Sequence, residues 1–318
     1  GDVVCISGDY ALVGQPGFNG NKGRVIAYTR NASGDWNMQT PVYYAVPPND
    51  GNSGKFGSSI SIDGDYAIIG EPGAGRAYLV KKVDGVWEFS TTAAKNSMIK
   101  ITPTDGGGNF GKSVSISGDY MVIGQPGKSK VYLYSRKNIS NVTDIMYSIG
   151  DFGGSVSISG DRFIVGAKKG GTNNAGSVVI YKFNKTTLAV DGAKKQIDGI
   201  PWQKPLESAF ESNLYFGTSV AIQGEYAFVG APGFNRNNGR VYVYKVDSNG
   251  NWTRGNGAAY KYYDDKMVKN NSAGTRYIGS GNASTADDTI EHPQTSIFEN
   301  STPDIIADMF FGTTLDIS

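Results

Sequence analysis

The sequence predicts an all-β fold, a β-propeller built from repeated four-stranded blades, with almost no helix. A stretch in which Ser alternates with Val or Ile, followed by Gly-Asp or Gly-Glu and then an apolar run, recurs along the chain. Its turn glycines are Gly8, Gly64, Gly118, Gly160 and Gly224. They lie roughly 54 residues apart, a period that suits a propeller blade and is too long for a leucine-rich or ankyrin unit. No segment combines a helical hydrophobic period with helix caps.

The first strand of each unit is predicted by an alternation with a period of two residues. In the third unit, Val114 and Ile116 alternate with Ser113, Ser115 and Ser117. Such a period places apolar side chains on one face of a strand and small polar side chains on the other. We therefore expect the serine face to pack closely against a neighbouring blade.

The second and third strands are predicted by the residues that follow the glycine turn. A short run that is apolar on both faces, such as Tyr66 to Ile69, is typical of a strand buried between two sheets. A third strand rich in Tyr and Val follows, and in three units a turn then leads to a tryptophan. These tryptophans are Trp36, Trp87 and Trp252.

Two short motifs give the chain a family resemblance. Phe-Gly pairs begin at Phe56, Phe110, Phe152, Phe216 and Phe311, and Gly-x-Pro-Gly motifs begin at Gly14, Gly70, Gly124 and Gly230. Over residues 1–252 and the last eight, the chain resembles the FG-GAP repeat of integrin-α-like β-propellers. The Gly-x-Trp turn makes it most similar to the secreted, non-integrin type. The resemblance implies a propeller that serves adhesion, scaffolding or ligand binding.

The resemblance also implies a calcium loop after Gly-Ala-Pro, because many units of this family contain one. Calcium prefers several carboxylate and carbonyl oxygens within one short loop. Here the corresponding loops contain no Asp or Glu, and four of them contain Lys or Arg. They comprise residues 18–22, 74–75, 128–130, 168–171 and 234–238. We therefore predict no bound calcium and no other cofactor, and we interpret the slightly calcium-like segment 247–251 as a hairpin turn.

The chain is predicted to form one domain over residues 1–318, with a long insertion at about residues 253–310. If residues 253–310 contain a degenerate blade, six or seven blades are expected, and the sequence opens inside one unit and closes on a first strand. Either the two ends share a blade and close the ring, or the propeller is incomplete in this chain. The insertion is interpreted either as a long loop or as an adaptable contact surface, for which Tyr, Asn and Gly are suited. The candidate contact residues are Tyr260, Tyr262, Tyr263 and Tyr277.

Composition argues against several functions. With 30 Lys and Arg against 29 Asp and Glu, the net charge is +1, so we expect no broad electrostatic contact with nucleic acid. No apolar run is long enough to span a membrane. One histidine, His292, and one cysteine, Cys5, can form neither a histidine-rich metal site nor a disulfide within the chain.

No set of catalytic residues stands out in the sequence. Asp264-Asp265 and Asp287-Asp288 are the candidates for glycoside chemistry, which needs two carboxyl groups flanking the bond. Adjacent side chains on an extended chain point apart, so these pairs do not suit that geometry. We therefore predict that the protein is not an enzyme and has no catalytic residues.

Asn-x-Ser/Thr sequons are the strongest chemical signal, and they mark surface loops in secreted proteins. All of them fall in predicted turns or insertions rather than in blade strands. They are Asn31, Asn138, Asn141, Asn184, Asn251, Asn270, Asn282 and Asn300. We predict an N-glycosylated protein that is secreted or at the cell surface.

The predicted function is that of an extracellular structural or adhesion propeller. Its partners would be other proteins or copies of itself, in one version as a subunit of a surface assembly or filament. The alternative is a carbohydrate-binding, lectin-like propeller in which the recurring tryptophans stack on glycans. A further alternative is a hydrolase with carboxylates lining a central channel.

Overall fold

The structure is a computed structural model, and it describes residues 2–36, 43–45, 53–87, 98–190, 195–198, 213–234, 239–254 and 289–291. Regular structure in these residues is nearly all β, which confirms the predicted fold class. Helical geometry in the described part is limited to α1 (Phe18–Asn21), to Phe234 and to short 3₁₀ turns at Pro72–Ala74, Pro126–Lys128 and Thr172–Asn174. Among the described residues, no helix has the length and apolar character needed to cross a membrane.

The strands form five antiparallel sheets, which are the blades. The first blade contains β1 (Val3–Ser7), β2 (Tyr10–Gly14), β3 (Val25–Thr29) and β4 (Tyr43–Ala45). The second contains β5 (Ser59–Asp63), β6 (Tyr66–Glu71), β7 (Arg76–Val83), β8 (Val86–Trp87) and β9 (Met98–Ile101). The third contains β10 (Val114–Ser117), β11 (Tyr120–Gln125), β12 (Lys130–Ser135) and β13 (Asn138–Met146). The fourth contains β14 (Ser155–Ser159), β15 (Arg162–Ala167), β16 (Ser177–Lys182) and β17 (Lys195–Asp198). The fifth contains β18 (Val220–Gln223), β19 (Tyr226–Ala231), β20 (Arg240–Val246), β21 (Trp252–Arg254) and β22 (Thr289–Glu291).

In each blade the first four strands are paired in the order in which they occur along the chain, whereas β9 pairs with β7 and β22 pairs with β20. The first strands of successive blades also lie side by side, as they do around the axis of a propeller. Five blades are described, so the sixth and seventh of the predicted count would fall outside the described residues. The strand β21 extends to Arg254 and β22 pairs with β20, so residues 253–254 and 289–291 of the predicted insertion belong to the fifth blade.

The hydrophobic core lies between the blades rather than within them. In the second blade, Ala67 and Ile69 pack towards the first blade, whereas Ile68 packs towards the third. All three side chains are fully buried. The second strand is therefore covered on both faces, which is the reason its sequence is a continuous apolar run. This confirms the prediction for the second strand.

The serine faces of the first strands in the second, third and fourth blades bond to the next blade, as predicted. The backbone N–H of Ile116 donates to Ser61 Oγ of the preceding blade at 3.2 Å. The equivalent pairs are Ile158 with Ser115 at 3.1 Å and Ile222 with Ser157 at 3.1 Å. A second serine reaches the following Phe-Gly pair, as in the bond from Ser113 Oγ to the Gly153 carbonyl at 2.8 Å. Serine is therefore used here because its side chain is short and polar enough to bond a neighbouring backbone.

The Phe-Gly and Gly-x-Pro-Gly motifs meet where two blades approach most closely. A Cβ atom on Gly70 would overlap the backbone carbonyl of Gly111 in the next blade, so glycine is required at that position. The phenylalanines of the four described Phe-Gly pairs are buried, and Phe110 meets Tyr132 edge to face with ring centroids 5.3 Å apart. The motifs that define the repeat thus form its blade-to-blade contacts.

The acidic residue of each Gly-Asp or Gly-Glu hairpin has a structural role. In the second blade, Asp65 forms an ion pair with Lys82 at 2.9 Å, at the end of the third strand. The same ammonium lies 3.7 Å from the ring centroid of Tyr10 in the first blade, a cation–π contact. The equivalent acid–base pairs are Asp9–Arg30, Asp119–Arg136, Asp161–Lys182 and Glu225–Lys245.

Candidate functional site

The described sequons all lie on the outer side of their blades, between the third strand and the end of the fourth. Asn31, Asn184 and Asn251 are exposed in turns, as predicted. The prediction that every sequon avoids the strands is wrong for Asn138 and Asn141, which lie in β13. That strand is the outermost of the third blade, and polar residues suit an outer strand because one edge faces solvent.

Three of these asparagines use the side-chain oxygen to fix a local turn. In each case Oδ1 accepts a hydrogen bond from the backbone N–H two residues later. The pairs are Asn31–Ser33 at 3.0 Å, Asn138–Ser140 at 3.1 Å and Asn184–Thr186 at 2.8 Å. In Asn251, by contrast, the amide nitrogen donates to Asp247 at 3.3 Å. A glycan attaches through that nitrogen, so Asn251 is the less suitable acceptor.

Other predicted site residues lie outside the described residues. They are the sequons Asn270, Asn282 and Asn300, the contact residues Tyr260, Tyr262, Tyr263 and Tyr277, and His292 with the two acidic pairs.

The repeated tryptophans differ in exposure. Trp87 is buried and meets Tyr10 edge to face, with ring centroids 6.2 Å apart. It therefore pins its hairpin against the neighbouring blade and cannot stack on a sugar. Trp36 and Trp252 are half-buried.

A set of buried polar side chains, not recognised from the sequence, occupies the variable position of the Gly-x-Pro-Gly motif. In the third blade this residue is Gln125, which is fully buried at the end of β11. Its Nε2 donates to the carbonyls of Gly106 and Gly107, each at 3.1 Å, and its Oε1 accepts from Tyr132 at 3.0 Å. The Gln125 side chain thus links the loop that follows the second blade to the end of β11 in the third blade.

An ionic cluster on the same connection completes this site. Asp105 accepts hydrogen bonds from Tyr132 at 2.9 Å, from Lys130 at 3.0 Å and from Gln125 at 3.2 Å, and Lys128 forms an ion pair with it at 3.5 Å. Burial opposes ionisation of Asp105. The hydrogen bonds from Lys130, Tyr132 and Gln125 outweigh that effect and hold its pKa well below the usual range. Two ammonium groups occupy the positions beside Asp105 at which a metal cation would bind.

The equivalent residue in the second blade is a buried carboxylate, Glu71. Tyr78 donates to its Oε2 at 2.9 Å and Arg76 lies 3.9 Å from it, but among the described residues no donor reaches its Oε1. Burial raises the pKa of Glu71, and the hydrogen bond from Tyr78 and the charge of Lys100 oppose that rise only in part. The backbone of Gly54 packs directly against this oxygen, so an added Cβ there would overlap it.

The arrangement of these polar groups suits structure rather than metal binding. In the part of the chain that the structure describes, no three His, Cys, Asp or Glu side chains are placed to hold a metal ion. The absence of calcium remains a prediction. Sequence reasoning missed Asp105 because it looked for acidic residues after the Gly-x-Pro motif, whereas Asp105 precedes the Phe-Gly pair. Its place just before three consecutive glycines was the signal available.

Comparison with known proteins supports the repeat and the fold. A family model described as the FG-GAP repeat matches residues 96–136 and 208–244, and each match contains one Phe-Gly pair and one Gly-x-Pro-Gly motif. No curated protein matches the sequence. The fold is similar to the crystal structure of a "putative 6-phosphogluconolactonase" from Bacteroides uniformis ATCC 8492. The TM-score is 0.52 and the identity 13%, over 79% of this chain and 68% of that one. This likeness concerns the fold alone, whereas the repeat matches support the resemblance to the FG-GAP repeat over residues 96–136 and 208–244.

Proposed function

We propose that this chain is an extracellular structural or adhesion propeller that works through protein–protein contacts, as a subunit of a surface assembly. The observation that carries the proposal is the position of the sequons. All five that the structure describes lie between the third strand and the end of the fourth strand of a blade, and none lies on a first strand. Glycans at these positions would leave the contacts between blades undisturbed.

The chemistry of the described residues supports a role in binding rather than in catalysis. The hairpin acids are paired with Lys or Arg, and Asp105 is held by two lysines and a tyrosine. Ionised groups that are committed to structural pairs are poorly placed to act as a general acid or base. The proposal therefore includes no catalytic activity and no bound calcium.

The test is the intact mass and native size of the protein isolated from the cells that produce it. We expect a mass above that of the polypeptide, which falls on treatment with peptide-N-glycosidase, and a native size larger than one chain. Asn31→Gln, Asn138→Gln and Asn184→Gln should each remove one glycan mass. Asn251→Gln is the matched control and should remove little. An unmodified, monomeric chain inside the cell would overturn the proposal.

A further inference from the structure

We propose that the face of the propeller that carries the Gly-x-Pro loops binds an acidic polypeptide segment through an arc of unpaired lysines. The arc comprises Lys22, Lys55, Lys112 and Lys169, and it runs from the first blade to the fourth. This inference rests on the proposed function, since it names the surface of a contact propeller and the chemistry of the partner that it would bind.

The topology of the blades sorts their loops onto two faces. Successive strands of a blade are antiparallel, so the hairpins after the first and third strands lie at the same end of the blade. We call this end the hairpin face. The loops after the second strands and the connections to the next blade lie at the opposite end, which we call the Gly-x-Pro face. Backbone hydrogen bonds join these two kinds of segment, as from Lys55 to Asn21 at 2.8 Å and from Gly127 to Gly108 at 3.0 Å.

The four lysines of the arc form no ion pair with another described residue. Lys55, Lys112 and Lys169 are exposed, and Lys22 is half-buried. Lys22 and Lys169 lie in loops between a second and a third strand, whereas Lys55 and Lys112 adjoin Phe-Gly pairs. The backbone N–H of Phe56 donates to the Lys22 carbonyl at 3.0 Å, which brings the two kinds of position together between the first and second blades. Ammonium groups that no described acid neutralises can attract an anionic partner.

The hairpin face has no such excess of unpaired cations among its described side chains. Most of its Lys and Arg residues pair with a hairpin acid, as Arg136 and Lys137 do with Asp119 at 2.7 Å and 2.5 Å. Its described side chains without an ion pair include both signs, namely Lys81, Lys185, Asp35 and Asp84. On the Gly-x-Pro face, Asp2 is the one described acid that forms no ion pair with a described residue. The positive charge that a partner could neutralise therefore lies on the Gly-x-Pro face.

The sequons distinguish the same two faces. Asn31, Asn138, Asn184 and Asn251 all lie at the turn between a third and a fourth strand, which belongs to the hairpin face. Asn141 lies further along β13, and none of the described sequons lies on the Gly-x-Pro face. Glycans at these turns would obstruct contacts at the hairpin face and leave the lysine arc accessible.

The aromatic side chains favour an acidic polypeptide over an acidic glycan. The recurring tryptophans lie at or next to the fourth strands, on the hairpin side of their blades, so they are not available to a sugar ring on the Gly-x-Pro face. Phe18 is partly exposed on that face, but the guanidinium of Arg24 covers its ring at 4.0 Å from the centroid. The lysines are flexible point charges, which suits carboxylates carried on an extended chain.

A second copy of this chain does not complement the lysine arc through its hairpin face. The hairpin acids of the described blades are already paired with Lys or Arg. Head-to-tail stacking of two copies would break those ion pairs and place four sequons in the interface. The arc is therefore suited to an acidic segment supplied by a partner protein.

The charge of the face is tested with a labelled polyglutamate peptide, whose binding to the native glycosylated chain is measured by fluorescence anisotropy at low salt. Lys112→Gln combined with Lys169→Gln should weaken binding about tenfold, because two ion pairs with the probe are lost. Lys81→Gln combined with Lys185→Gln is the matched control. It removes the same charge from the hairpin face and should weaken binding by less than about twofold. Equal weakening by the two pairs, or no binding of the probe, would overturn the inference.

A second probe separates a polypeptide from a glycan. Polygalacturonate also carries carboxylates, and it should bind more weakly than polyglutamate at equal carboxylate concentration. Tighter binding of polygalacturonate would assign the face to an acidic glycan and contradict the inference. Treatment with peptide-N-glycosidase should leave the affinity for polyglutamate unchanged, since the described sequons lie away from the arc.

The source of the acidic segment is tested by a photo-crosslinking amino acid at position 112 in the producing cells, with position 185 as the control. We expect a product at position 112 alone that contains a peptide rich in Asp and Glu from a partner protein. A crosslink within the same chain would show that the chain covers the arc itself and would contradict the inference, and so would the absence of any product. Glycan mass and native size are measured separately, so a failure here is distinguishable from a failure of the proposed function.

Discussion

The second and third blades have the same backbone conformation at their Gly-x-Pro-Gly motifs, but the polar side chain buried there differs. The second blade has Glu71 at the variable position of Gly-x-Pro-Gly, and the third has Gln125. Both side chains are fully buried, and each accepts a hydrogen bond from a tyrosine on the adjacent strand. In the third blade the charge lies instead on Asp105, where two lysines balance it. The repeat therefore fixes where a polar group is buried but leaves open how its charge is balanced.

The two ends should respond to pH in opposite directions. The pKa of Glu71 is raised in the folded protein, so folding favours its protonated form and stability falls as pH rises above 4.5. The pKa of Asp105 is lowered, so its contribution is present above 3.8 and is lost as pH falls below that value. Substitutions at the two ends can test this difference directly.

The largest effect is expected from Gln125→Ala. The change removes a fully buried side chain that donates to the carbonyls of Gly106 and Gly107, and it takes the Oε1 acceptor from the hydroxyl of the buried Tyr132. Since a buried polar group without its partner costs about 1–3 kcal/mol, we expect a loss of about 3 kcal/mol in the free energy of unfolding, measured by urea denaturation. Gln15→Ala is the matched control, because Gln15 occupies the same position in the first blade but is half-buried. A cost no greater than that of the control would show that the amide bonds do not hold the connection.

Asp105→Asn should have the next largest effect at neutral pH. It weakens the ion pairs with Lys128 and Lys130, which are partly exposed, so we expect a loss of about 1–2 kcal/mol. The difference from the unmodified protein should shrink as pH falls below 3.8, because protonation removes the same charge. Urea denaturation of both proteins from pH 7 to pH 3 measures this difference in the free energy of unfolding. A difference that stays constant over this range would contradict the assigned ion pairs.

Glu71→Gln should act in the opposite sense and by a smaller amount. It replaces a buried carboxylate by a neutral amide of the same shape, and we expect a gain of about 1 kcal/mol at neutral pH. The gain should vanish towards pH 4.5 and below, where Glu71 binds a proton in both the folded and the unfolded chain. Denaturation curves at several pH values measure this gain, and a loss of stability at neutral pH would show that the ionised carboxylate has a favourable partner.

The sequence predicted the strands better than it predicted these polar sites. The alternation in β10 and the apolar run in β6 depend on which face of a strand is covered, and that information is local. The hydrogen bond from Gln125 to Asp105 joins residues on separate elements. Its geometry depends on how the loop that contains Asp105 folds back over the third blade. Asn141 shows the same limit, since a polar sequence is compatible with both a turn and an outer strand. A periodic pattern reveals burial, but it does not reveal which polar groups meet.

The smallest effect on thermal stability is expected from added calcium. This prediction concerns the same two blade ends, at Glu71 and near Asp105. In the third blade, Lys128 and Lys130 already neutralise Asp105, so a divalent cation would have to displace two ammonium groups. In the second blade, Glu71 is a lone buried carboxylate, whereas calcium needs six to eight oxygen ligands. About 5 mM calcium, well above the dissociation constants of extracellular calcium modules, should therefore shift Tm by about 1 °C or less. Magnesium at the same concentration controls for ionic strength. A calcium-specific rise that Glu71→Gln abolishes would place a metal at the second blade and reverse the prediction, because it would show that ligands from outside the described residues complete the site.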